Sequence, residues 1–262
     1  MITIIGYCAA ILIGISLGLI GGGGSILTVP VLVYLLGYSP TTSTAYSFFI
    51  VGLSALVGCI SYIRIGLINY KSAIYFGLPS IIAVFIARKI ILPNVPENLW
   101  SIGGHEITKN AGIMVLFSLL MISASASMIS NKIIYNNEGD PHYLSMSVNG
   151  FIVGLLTGLV GIGGGFLIIP GLVVFAKLPM KTAVGTSLLI IALNSLIGFT
   201  EDLNLNFNID WLFLLLFSGF SVSGILMGSY FSKFILGPKL KTSFGWFIMA
   251  MGIAIIIKEI IK

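Results

Sequence analysis

Charge is scarce in this chain. Asp, Glu, Lys and Arg make up 8% of its 262 residues, against about 25% in ordinary globular domains. Residues of the AVILMFWYC set supply 57%, and mean hydropathy is +1.11. A soluble protein cannot cover its surface from this composition, so the chain reads as an integral membrane protein. Histidine is nearly absent, with 2 residues, and the 2 cysteines, Cys8 and Cys59, sit inside apolar runs without CxxC or metal spacing. They read as small buried residues, and no metal is implied. There is no Ser/His/Asp set and no pair of catalytic carboxylates, so enzymatic chemistry has no visible residues. A dinucleotide reading of Gly161-x-Gly163 fails for want of a strand before it and an acidic partner after it, so no cofactor is expected. The 13 Lys and Arg are scattered without a basic run alternating with aromatics, which argues against nucleic acid as a partner. The apolar N-terminus lacks a basic n-region and an A-x-A site and reads as retained.

What is present is glycine, 32 residues of it, and a series of apolar runs at 3–20, 26–36, 42–63, 72–92, 111–130, 144–160, 166–176, 182–200, 209–236 and 243–261. Lipid forces each to satisfy its backbone internally, so each is a helix. Runs 26–36 and 166–176, at ~1.5 Å per residue, cover only about half of a ~30 Å hydrocarbon core. Both follow a glycine cluster. A shift of 140 residues lays 14–58 on 154–198 with 16 of 45 pairs identical, including Gly14, Gly18, Gly21, Gly23, Gly24 and Pro30 against their counterparts. Apolar composition does not align five glycines and a proline in register. The chain is therefore read as a duplication: a first membrane repeat over 1–130, a polar connector over 131–143 and a second membrane repeat over 144–262. The stretch 88–110 reads as a surface loop opening on Arg88-Lys89, with His105 and Glu106 solvated.

Two constellations carry possible chemistry. The first is the doubled glycine tip, Gly21-Gly22-Gly23-Gly24-Ser25 and Gly161-Ile162-Gly163-Gly164-Gly165. A short helix starts after each tip, with unpaired N–H groups and the positive end of its dipole. This makes an anion site without a formal charge. Short, Gly/Pro-interrupted segments at matching places in two halves point to a transporter's binding site. The second is the hydroxyl-rich start of the next helix, where the 140-residue shift pairs Ser47 with Ser187, Tyr46 with Thr186 and Ser54 with Asn194. Ser47, Thr186, Ser187 and Asn194 would add neutral donors to the tips; the other reading is capping and back-bonding to helix carbonyls. Glu201 and Asp202 read as interface residues at a helix end and Asp210 as a cap. No mid-span carboxylate speaks for proton coupling. No Lys or Arg is expected near the tips, which suits a carrier that must release its anion. The patterns Gly14-xxx-Gly18, Gly154-xxx-Gly158 and Gly224-xxx-Gly228 read as helix packing.

The segment Gly158-Leu-Val-Gly161-Ile-Gly163-Gly164-Gly165-Phe-Leu-Ile-Ile-Pro170, followed by Ala183-Val-Gly-Thr186-Ser187, resembles the TauE/SafE family of sulfite exporters. The first half repeats it as Gly18-Leu-Ile-Gly21-Gly22-Gly23-Gly24-Ser25 to Pro30, then Thr44-Ala45-Tyr46-Ser47. Gly22, Ser25 and Tyr46 depart from the commoner Ile, Gly and Thr. The resemblance covers essentially the whole chain. It implies a multi-pass cell-membrane carrier of small sulfur-containing or organic anions.

The fold expected is all-α: two repeats of inverted topology, each with a glycine-tipped re-entrant helical hairpin and three transmembrane helices. Residues 3–36, at ~1.5 Å per residue, would span about 51 Å as one crossing, far more than a bilayer, which favours the hairpin. Arg64, Lys71, Lys132, Lys177, Lys181, Lys233, Lys239 and Lys241 then share one side and Arg88, Lys89, Lys109, Lys258 and Lys262 the other, which puts the termini outside. The function expected is transport of a small oxyanion by alternating access; an anion channel and a non-transporting scaffold subunit are the alternatives. The lipid bilayer and a small anion are the expected partners, with a second copy of the chain left open.

Overall fold

A computed structural model describes residues 2–102, 105–129, 142–161, 163–203, 209–231 and 237–261. Long apolar runs become helices, as the lack of alternative backbone partners in lipid requires. The order is α1 (Ile2–Ile20), α2 (Gly23–Pro30, continued by a π-helical turn over Val31–Leu35), α3 (Pro40–Arg64), α4 (Tyr70–Ile86, continued by a π-helical turn over Ala87–Ile91), α5 (Leu92–Asn94) and α6 (Lys109–Ile129). Then come α7 (Tyr143–Val160), α8 (Gly165–Phe175), α9 (Met180–Leu203), α10 (Trp211–Phe231) and α11 (Gly237–Ile261). Between α5 and α6 lies a short antiparallel ribbon of β1 (Asn98–Ile102) and β2 (His105–Thr108). Of the connector, residues 131–141 lie outside the described residues, as does Ile162 in the second tip.

Six described helices, or helices with their π-helical extensions, are long and apolar enough to cross a membrane: Pro40–Arg64, Tyr70–Asn94, Lys109–Ala126, Tyr143–Val160, Met180–Leu203 and Trp211–Phe231. The protein is a multi-pass membrane protein. Exposed Ile60, Ile74, Leu78, Ile82, Leu119 and Leu212 supply the kind of outer surface that lipid covers. Tyr143–Val160 belongs to the set although the hairpin scheme makes it a limb, so length does not separate limbs from crossings.

The centre is built from α3 and α9, 61% and 72% buried over their apolar windows, against 33% for α7. They run antiparallel: Gly198 lies on Phe48, and Gly52 on Ser195. Two glycine-lined crossings flank them. A Cβ at Gly14 would fall 2.0 Å from Ser221 O, and one at Gly224 would fall 2.2 Å from Ile11 O, so α1 and α10 touch through backbone. On the other side, Cβ atoms at Gly150 and Gly154 would each fall 2.3 Å from the carbonyl oxygens of Phe76 and Ser80, joining α7 to α4. The packing reading of these glycines is what the contacts display. The pairing also crosses over between the halves, with α1 on α10 and α7 on α4. α2 lies back along α1, with Gly24 beside Ile13 and Leu17, and Leu36 beside Gly6.

One expectation is overturned here. Arg88 does not open a surface loop: the helix runs on through Ala87–Ile91 to Asn94, and Arg88 is 2% exposed. The physical reason is its neighbours. Ile86, Ala87, Ile90, Ile91 and Leu92 keep the segment apolar, so it continues as helix and takes the arginine inward.

Candidate functional site

Each tip begins where a helix ends. Gly21 and Gly161 both have φ +77° and close α1 and α7: Gly21 N–H donates to Leu17 O (2.7 Å) and Gly161 N–H to Thr157 O (2.8 Å). This is the left-handed stop that glycine allows. Those two amides are therefore engaged, which corrects the expectation that every tip glycine offers its N–H. The amides available are those at the starts of the short helices, Gly22–Ser25 and Gly163–Gly165, where helix geometry leaves the first N–H groups without intrahelical acceptors. Gly163 and Gly164 also have positive φ, +67° and +82°. Leu167 and Ile168 N–H both donate to Gly164 O at 3.0 Å, which anchors the start of α8.

The two tips touch. A Cβ on Gly22 would fall 2.3 Å from the carbonyl carbon of Gly165, and a Cβ on Gly165 would fall 2.5 Å from Gly22 Cα. The meeting point lies deep in the protein. Around Gly163 stand Val51, midway along α3, and Ile191 and Ser195, midway along α9.

The hydroxyl groups divide. Ser187 Oγ lies 3.1 Å from Gly21 O and 2.8 Å from Val184 O, so its single hydrogen is shared between the first tip and its own helix. Ser47 Oγ, its counterpart, is buried with no partner among the described residues, as is Ser195 Oγ. Thr186 Oγ1 accepts from Asn69 N–H (3.0 Å) and so holds the α3–α4 connection. Ser25 Oγ donates to Gly22 O (2.7 Å) and is used inside the tip. Asn194 Nδ2 donates to Ser80 Oγ (2.7 Å), leaving Oδ1 unpartnered. Ser54 Oγ makes the matching bond to Ser221 Oγ (2.9 Å). Gly23 and Gly24 stand in the first turn of α2, with Gly24 against α1. Asp210 caps α10 as read, accepting from Phe213 N–H at 3.0 Å.

A cation does stand at the tips, against expectation. A Cβ at Gly161 would fall 2.7 Å from Arg88 Nη2 and 2.2 Å from Thr44 Cβ. Arg88 Nη1 donates to Thr44 Oγ1 (3.3 Å) and to Asp202 Oδ1 (3.2 Å), and its Cζ lies 4.5 Å over the Phe48 ring. Asp202 is thus no interface residue: its side chain is 2% exposed, and Arg88's is 1%. Arg88 Nε and Nη2 and Asp202 Oδ2 have no partner among the described residues. The signal was an arginine inside the apolar run 72–92. Its partner, 114 residues away, is not readable from one sequence. No group of three or more metal-ligating side chains occurs among the described residues.

Comparison with known proteins gives the family of the chain. The chain is 29% identical over 253 residues to a "Probable membrane transporter protein" of Xylella fastidiosa (strain 9a5c), covering 94% of this chain and 91% of that one. It is 29% identical over 221 residues to the "Probable membrane transporter protein YunE" of Bacillus subtilis (strain 168), covering 75% and 76%. A Methanocaldococcus jannaschii protein described as a probable membrane transporter is 27% identical over 213 residues. No solved structure matches. Residues 7–258 match the family model described as "Sulfite exporter TauE/SafE", and the chain belongs to this family of membrane transporters.

Proposed function

We propose that the protein is a secondary carrier of a small sulfur-containing oxyanion (sulfite, thiosulfate or an organosulfonate), working by alternating access around the paired tips. The observation that carries this is the backbone contact of Gly22 with Gly165. It brings two helix starts, one from each half, to one buried point ringed by side-chain donors. An anion seated beside this contact meets aligned N–H groups and two positive helix ends. Ser47, whose hydroxyl has no partner among the described residues, adds a donor to the cage, and Ser187 adds one by turning its hydrogen away from Gly21 O and Val184 O. The substrate class leans on the family's description.

In this reading the two halves are inverted repeats, and α1–α2 and α7–α8 are re-entrant hairpins. The return of α2 along α1 supports the first hairpin. Alternating access then rocks the two halves about the tips. Residues 37–41 would be labelled, as single cysteines, from the side on which the N-terminus lies; labelling from the opposite side would exclude the hairpin.

Purified protein in liposomes tests the function. Saturable uptake and counterflow of sulfite, thiosulfate, sulfoacetate or sulfate is the expected result. Flux without saturation or counterflow would make it a channel. No flux of any of the four above empty vesicles would overturn transport in favour of a scaffold role.

A further inference from the structure

Arg88 is buried more deeply than its one ion pair explains. An arginine and a carboxylate that exist to satisfy each other usually meet through two parallel bonds of about 2.7–2.9 Å. Here there is one contact, at 3.2 Å, through Nη1 alone. Nε and Nη2 are buried and unpartnered, and so is Asp202 Oδ2. A buried charged donor left unmade is costly, so a fork held open in this way points to a missing acceptor. The fork is also aimed. Nη2 stands beside Gly161 at the second tip, with the guanidinium plane fixed by Phe48 and Nη1 tied to Thr44. Arg88 further sits in a π-helical turn, Ala87–Ile91, where Leu92 N–H reaches back to Ala87 O. Single π-turns within helices are frequent at functional sites.

We propose that Arg88 is the anion-binding cation of this site: its Nε–H and Nη2–H groups take two oxygens of the oxyanion beside Gly161, and Asp202 is the counter-charge that holds Nη1. This rests on the carrier reading and deepens it by naming a specificity-determining residue. The ligand chemistry is that of a planar pair of acceptor oxygens, as a sulfite, sulfonate or carboxylate offers. A monatomic anion such as chloride offers the two donors one shared acceptor in place of two aligned ones. The counter-charge also meets the requirement of release. A lone arginine in low dielectric would hold an anion strongly, whereas one already facing a carboxylate attracts it less.

The test uses the purified full chain in nanodiscs, with sulfite, thiosulfate, sulfoacetate, sulfate and chloride titrated by calorimetry. Melting temperatures and liposome flux are measured beside it. The variants are Arg88→Lys, Asp202→Asn and the double variant Arg88→Gln/Asp202→Asn, which buries no charge and is read if a single variant fails to fold. At least one oxyanion should bind the wild type more tightly than chloride. Arg88→Lys keeps the charge without the fork and should weaken that binding by about tenfold or more. The double variant should fold and lose binding. Asp202→Asn should keep Arg88 and bind the oxyanion about tenfold more tightly while releasing it more slowly, since an attraction is removed from Arg88. If Arg88→Lys and the double variant bind within about twofold of the wild type, Arg88 is structural and the proposal is wrong, while the carrier reading stands. Weaker binding by Asp202→Asn would overturn the counter-charge role. If none of the four oxyanions binds or crosses with the wild type, the carrier reading falls and takes this inference with it.

Discussion

The first glycine tip faces a valine; the second faces a threonine and an arginine. Val184 lies over Gly21 and Thr44 over Gly161, and these two residues are counterparts at the 140-residue shift that relates the halves. The backbone break is thus made twice, with φ +77° at both helix ends. Its surroundings are not. One tip is walled by an apolar side chain, and the other carries the buried Arg88–Asp202 pair. The comparison teaches that the scaffold of two tips and the chemistry at the tips are separable. Glycines and helix starts build the tips from both halves, whereas the charge stands at one tip only, with Arg88 coming from the first half and Asp202 from the second.

The comparison is broken most severely at the tips' contact. Gly22→Val and Gly165→Val put a side chain into opposing backbone within 2.7 Å. Each should abolish anion flux and lower stability by about 1–3 kcal/mol, the usual cost of overpacking. Urea or thermal melts read the stability and liposome assays the flux. Normal flux in both variants would remove the tips from the site.

The next test asks whether the two helix ends differ. Gly21→Ala and Gly161→Ala each force a non-glycine residue into the left-handed region, at about 1–2 kcal/mol. The obstacle at Gly21 is the Val184 side chain, whereas at Gly161 it includes Thr44 Cα and Arg88. Adding Val184→Ala should therefore recover part of the Gly21→Ala loss in a double-mutant cycle. No side-chain truncation at Thr44 should rescue Gly161→Ala to the same degree. Equal rescue in both halves would make the tips equivalent.

Exchanging the facing residues sharpens the contrast with a smaller effect. Thr44→Val removes an acceptor of Arg88 Nη1, a bond to a charged group worth about 1.5–3 kcal/mol, and should lower anion affinity. Val184→Thr should leave affinity close to wild type. Calorimetric affinities that fall equally for both would contradict the assignment of charge to the second tip. Ser187→Ala should cost about 0.5–1.5 kcal/mol in melting experiments, because its hydroxyl bonds Gly21 O or Val184 O. Ser47→Ala should cost nothing in the empty protein, since its Oγ has no partner among the described residues, yet should weaken anion binding. The smallest effect belongs to Gly219→Ala. Nothing lies within 4 Å of that position, so flux should be unchanged and the helix slightly favoured. Gly14, which resembles a neutral packing glycine in sequence, is no such control, because its Cβ would meet Ser221 O.

Much of the fold was legible because lipid leaves the backbone few options. The run 42–63 became Pro40–Arg64, and 166–176 became Gly165–Phe175, with boundaries at the proline and glycine that start each helix. The tip glycines were legible for the same reason: their spacing recurs in both halves, and left-handed stops need glycine. Their N–H groups were only half legible, since the bond that ends a helix engages Gly21 and Gly161 and cannot be told from composition. Ser25 looked like an anion donor, but its hydroxyl hydrogen serves the Gly22 carbonyl; the Thr186 oxygen accepts from the Asn69 amide and keeps its own hydrogen. A hydroxyl's partner depends on the rotamer that packing leaves open.

By itself the sequence determined that this chain is helical, lives in a membrane and breaks its helices twice at matching glycines. Each of these follows from local composition or spacing, because hydropathy, chain length and glycine's backbone freedom act within a few residues. The tertiary structure alone decided that α1 pairs with α10 and α7 with α4, that Gly22 meets Gly165, and that Arg88 lies inside against Asp202 rather than at the surface. Those are contacts between residues far apart in the chain. A buried charge is tolerated only where a distant partner and a polar cleft receive it, and that condition exists only once the helices have packed.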